Sequence, residues 1–152
     1  MACLFVQPMH VGDNFRQWPL HITIVPWFRL PDSSAQLTSS LERALHSLGP
    51  FVLVASGAAR FGPRQRLVRL LDAVPQLVTL EHNVRSYLHK KRAWLVDETT
   101  KRRYGFRPHV TAQADQELER GARVEVNRLY IVEQKGDYKE IIGEVSFGKT
   151  TA

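Results

Sequence analysis

Residues 18–28 read WPLHITIVPWF, and the alternation inside them decides how the chain folds. Leu20, Ile22 and Ile24 recur at every second position, the period of a β-strand with one buried face. His21 and Thr23 then project together from the opposite face. A face that serves only solvation has little need of an imidazole beside a hydroxyl. The arrangement returns at residues 106–113, FRPHVTAQ, where His109 and Thr111 flank Val110 as His21 and Thr23 flank Ile22. Each histidine has an aromatic residue three positions earlier, Trp18 and Phe106, and 88 positions separate the two histidines. Either copy alone reads as a half-polar sheet face. Together they read as two halves of an internal duplication folded about a pseudo-twofold axis.

The surrounding pattern supplies the other elements. Residues 2–8 and 20–25 read as strands, with a turn at Gly12 to Asn14 between them. Leu37, Leu41, Ala44, Leu45 and Leu48 fall at helical spacing, with Asp32 or Ser33 as cap and Gly49-Pro50 as stop. Residues 51–61 form an apolar strand candidate and 64–73 a weaker one. A second helix is expected over 74–91, burying Leu77, Leu80, Val84, Tyr87 and Leu88. Residues 122–134 read as one strand, Gly136-Asp137 as a hairpin turn and 138–147 as the returning strand. The closing GKTTA reads as a loose tail. The expected architecture is α+β, with mainly antiparallel sheet and covering helices, in a single domain over residues 1–152.

Composition narrows the function classes. Hydrophobic residues make up 43% of the chain, enough for a core. No apolar run approaches the ~20 residues of a membrane span, and the start of the chain lacks the pattern of a signal peptide. Cys3 is the single cysteine, so neither an internal disulfide nor a cysteine zinc cluster is available, in keeping with a cytoplasmic location. The net charge of +6 is concentrated in residues 89–109, HKKRAWLVDETTKRRYGFRPH. Such a stretch is either a solvated surface loop or a contact for a polyanion such as RNA.

The paired His-x-Thr motifs, the segment FRPHVT and the order of elements between them resemble the 2H phosphoesterase superfamily, which includes 2′-5′ RNA ligase-like proteins and 2′,3′-cyclic phosphodiesterases. The resemblance covers essentially the whole chain. It implies a bilobal fold in which two related lobes meet at a central groove lined by both motifs. It also implies catalysis without a metal or other cofactor, on RNA ends or nucleotides that carry a cyclic phosphate.

The chemistry suits these side chains. Residues i and i+2 of a strand lie about 6.5–7 Å apart on one face. Two facing strands therefore bring two imidazoles and two hydroxyls around one phosphate. Thr23 and Thr111 can donate to its non-bridging oxygens, and His21 and His109 can serve as acid and base. A pseudo-symmetric site leaves the order of roles open; for hydrolysis His21 is taken as acid and His109 as base. Arg107, two residues before His109, is the leading substrate-binding candidate, with Arg102 and Arg103 beside it. Tyr104, Trp27 and Phe28 are candidates for stacking on a base, although Trp27 and Phe28 also suit the closure of a core at a strand end. His10, His46, His82 and His89 show no ligand spacing and are read as surface or boundary residues. A monomer is expected. The competing readings are a non-catalytic RNA or nucleotide binding module, and a 2H enzyme acting on a non-RNA cyclic phosphate.

Overall fold

The computed structural model describes residues 1–148, with the side chain of Arg102 excepted. Residues 149–152, most of the expected loose tail, lie outside the described residues. The strands are β1 (Ala2–Phe5), β2 (Asn14–Phe15), β3 (His21–Val25), β4 (Phe28–Arg29), β5 (Phe51–Phe61), β6 (Arg66–Leu71), β7 (Trp94–Leu95), β8 (His109–Thr111), β9 (Arg123–Val126), β10 (Arg128–Lys135) and β11 (Tyr138–Ser146). The helices are α1 (Ser34–Ala44), α2 (Pro75–Lys90) and α3 (Glu98–Tyr104).

One nine-stranded sheet runs β2-β11-β10-β1-β3-β8-β6-β5-β9, and every pairing in it is antiparallel. A small second sheet pairs β4 with β7. The two motif strands are neighbours at the middle of the large sheet. Strands β1, β10 and β11 extend it on one side, and β6, β5 and β9 on the other. The first side is therefore built from both ends of the described chain and the second from its middle.

The alternation seen in the sequence sorts side chains onto two faces. Leu4, Ile22, Ile24, Val110, Leu129 and Ile131 form one core with Leu37 and Leu41 of α1 and Leu77, Leu80, Val84 and Leu88 of α2. Ser33 caps α1 by accepting from the Gln36 backbone N–H, and the Gln36 side chain returns the bond, a capping box. Helix α1 lies so close to β11 that a Cβ on Gly143 would meet Thr38 Oγ1 at 2.7 Å. The opposite face carries a smaller cluster of Cys3, Phe5, Tyr130, Val132 and Ile141, packed with Phe15, Trp18 and Trp27. Among the described residues no helix is long and apolar enough to cross a membrane.

Several elements differ from the sequence expectation: the strand read over 2–8 ends at Phe5, Asn14 of the expected turn opens β2, and the short β4 and β7 had no counterpart in the reading. The strand read over 122–134 breaks at Asn127, because β9 pairs with β5 while β10 pairs with β1 and β11. Helix α1 ends at Ala44, five residues before Gly49, and Leu45 and Leu48 reach the core from a turn. Part of the basic segment is not loop but helix α3. It has no apolar stripe; buried charges hold it. Arg85 of α2 donates two bonds to the Asp97 carboxylate, at 3.0 and 2.8 Å, and a third to Glu81 Oε1 at 2.8 Å. Lys101 of α3 closes the network, with Nζ 2.8 Å from Glu81 Oε1. Lys101 is thus neutralised by a carboxylate, and so is Lys91, 3.7 Å from Asp32.

Candidate active site

The site grows from a single residue pair. Ile22 of β3 lies opposite Val110 of β8, in antiparallel register. Continuing that register by one residue sets His21 across from Thr111 and Thr23 across from His109. Ile22 and Val110 are buried in the helix-side core, so all four polar side chains face the other way. The histidines become diagonal neighbours, a placement whose typical backbone spacing is about 7–8 Å. Both are half-buried, as are both threonines. Among the described residues neither threonine hydroxyl hydrogen-bonds another protein group.

The two imidazoles are held alike. His21 Nδ1 lies 2.9 Å from the Pro19 carbonyl oxygen, and His109 Nδ1 lies 2.7 Å from that of Arg107. A carbonyl only accepts, so Nδ1 is the donor in both rings and Nε2 is left to face a ligand. Burial holds the pKa of each histidine below the usual 6.5, against the pull of its carbonyl bond. The charges of His109 and Lys139 lower His21 further, and the charge of Arg107 lowers His109. The two motifs therefore feel one another electrostatically, as groups in one small volume must.

Aromatic rings back both histidines. Trp18 stacks on His21 with centroids 4.1 Å apart, and Phe5 lies 6.4 Å from it. Phe61 meets His109 edge-on at 4.8 Å. Phe106, which occupies the same sequence offset as Trp18, instead packs against the helix-side core beneath Lys101.

The candidate binding residues separate. Arg107 lies over the rings of both Phe61, at 4.3 Å, and Tyr104, at 4.7 Å, so Tyr104 and Arg107 join the His109 side. Arg103 is exposed and lies over Tyr104. Trp27 touches Trp18 at 6.3 Å and borders the His21 side. Phe28 packs against the opposite core and pairs with Leu95, away from the histidines. The Arg102 side chain lies outside the described residues. Phe61, Phe5 and Lys139 were not singled out from the sequence. They reach the site through sheet register, and no local motif marks them. Among the described residues no group of three or more His, Cys, Asp or Glu side chains gathers as a metal site would.

Comparison with known proteins shows the family and the fold. The family model described as the 2′-5′ RNA ligase superfamily matches residues 6–137. TT0787 of Thermus thermophilus superposes with a TM-score of 0.59 and 18% identity, over 88% of this chain and 83% of its own. A phosphoesterase superposes at 0.54 with 18% identity, over 86% and 78%. E. coli LigT complexed with 3′-AMP superposes at 0.50 with 17% identity, over 86% and 76%. No curated protein sequence matches.

Proposed function

Because this chain belongs to the 2′-5′ RNA ligase superfamily of phosphoesterases, we propose that its histidine pair opens 2′,3′-cyclic phosphates of RNA ends or nucleotides to 2′-phosphates. The observation that carries this reading is the central β3–β8 pair, which sets both His-x-Thr motifs on one face with the Nδ1 atoms tied back. The nucleoside monophosphate bound by LigT, a protein of the same fold, supports a nucleotide substrate.

The reaction needs a water placed in line with the P–O3′ bond. One Nε2 takes the proton of that water as its oxygen attacks phosphorus. The P–O3′ bond breaks, and the other Nε2 delivers its proton to the departing O3′. Thr23 and Thr111 donate to the non-bridging oxygens, where negative charge grows. Burial and nearby positive charge lower both imidazoles, His21 through His109 and Lys139 and His109 through Arg107, so the two rings titrate as a coupled pair. Ligation, as the reverse reaction, would exchange the roles.

Turnover of a 2′,3′-cyclic nucleotide in the presence of chelator tests the proposal, with the product identified by phosphorus NMR. We expect the 2′-phosphate, formed without added metal. His21→Ala and His109→Ala are each expected to lower the rate by about 10²–10⁴-fold. Binding without turnover would favour the binding-module reading, and undiminished activity in both variants would remove the histidines from the chemistry.

A further inference from the structure

Both site histidines rest on an aromatic ring, and each ring carries a cation. On one side Arg107 covers Phe61, whose edge meets His109. On the other, the Lys139 ammonium lies 5.4 Å from the centre of the Trp18 ring that stacks on His21. The register explains how β11 delivers it: Lys139 stands opposite Gln134 of β10 and Phe15 of β2, and Phe15 packs on Trp18 at 5.0 Å. Lys139 Nζ donates to the Arg16 carbonyl oxygen at 3.0 Å.

Several other cations of the molecule meet carboxylates. Arg16 meets Asp137, Lys91 Asp32, Lys101 Glu81, Arg128 Glu144 and Lys135 Glu140. Among the described residues no carboxylate pairs with Lys139 or Arg107. Unmatched positive charge beside histidines that must carry a proton opposes that protonation. An arriving anion removes the conflict, because its charge offsets the cations and restores the basicity of the imidazoles. Two such cations, one on each side of the pair, exceed what one phosphate monoanion needs. Lys139 is also placed over the indole, with no bond to the imidazole, so it is offset from the reacting centre.

Building on the phosphoesterase reading, we propose that Lys139 binds a second substrate phosphate on the His21 side, next to the one that reacts. The preferred substrate is then an oligonucleotide end, which has such a neighbouring phosphate, and not a cyclic mononucleotide, which has none. Lysine binds phosphate as a point charge through freely rotating donors, so arginine should substitute in part.

The test compares a 2′,3′-cyclic mononucleotide with a dinucleotide ending in a 2′,3′-cyclic phosphate, for the parent protein, Lys139→Met and Lys139→Arg. The parent is expected to show a lower KM for the dinucleotide. K139M should shrink that advantage by about tenfold, the size of one charge-assisted phosphate contact, and K139R should keep most of it. An advantage unchanged in K139M, or an equal loss on both substrates, overturns the proposal. Binding of the two corresponding 2′-phosphate products, followed by NMR, gives the same comparison without turnover. It separates failure of this proposal from failure of the catalytic reading, which the histidine variants report.

Discussion

Each site histidine is buried enough to resist a proton and tied well enough to aim one. The folded values lie below 6.5, so the unfolded chain takes up protons first as the pH falls. The stability linked to the neutral rings is complete above about pH 6.5 and is lost as the pH drops through the window down to the folded values. Urea midpoints measured at pH 7.5 and pH 5.5 should show this loss, and a His21→Gln/His109→Gln variant should lose less. The same shifts bear on catalysis. A bell-shaped kcat/KM profile reports the free protein's acid and base, so its maximum should lie below about pH 6.5. A maximum well above that value would mean that another group limits the proton transfers. The four motif residues were legible from a two-residue period, since i and i+2 share a face whatever the rest of the sheet does. Phe61 and Lys139 were not, because their position depends on pairings with β6 and β2 that no local pattern encodes.

Among the elements, the long helices announced themselves through apolar spacing, whereas α3 did not. Its residues Glu98–Tyr104 lack an apolar face, and its place is set by Arg85, Asp97, Glu81 and Lys101. The basic segment clusters several cations, and only the fold distinguishes those held by carboxylates, such as Lys91 and Lys101, from those that meet none among the described residues. Likewise the break at Asn127 follows from strand partners far away in sequence, since residues 122–134 alternate well enough for one strand. Arg85 is the hub of the α2–α3 network, with its side chain 8% exposed. Removing it leaves the Glu81 carboxylate, itself 5% exposed, without its closest arginine. Breaking a buried pair from one side typically costs about 3–5 kcal/mol. Arg85→Ala should therefore lower the unfolding free energy by about that amount in urea titrations. It should also raise KM, because α3 leads directly into Tyr104 and Arg107. Lys101→Met, at the more exposed end of the network, should cost less.

At the scale of the whole molecule, the pair of lobes implied by the family resemblance is not a pair of separable chains. The β3 side of the sheet needs β1 from the start of the chain and β10 and β11 from its end, while the β8 side uses the segment between. The chain passes from one side to the other at Asn127, and the helix-side core runs through both: Leu4, Ile22 and Leu129 belong to it together with Leu53, Leu71 and Val110. Neither side can lose its strands without exposing apolar surface of the other, so unfolding should be cooperative over the whole domain. Two probes can separate the sides. Trp18 and Trp27 report on the His21 side by fluorescence, and the backbone of both sides contributes to far-ultraviolet circular dichroism. Their denaturant curves should coincide, with one midpoint. Two midpoints would show that the sides fold independently. The site would then depend on docking between them, because the β3–β8 register at Ile22 and Val110 is what brings the two histidines onto one face.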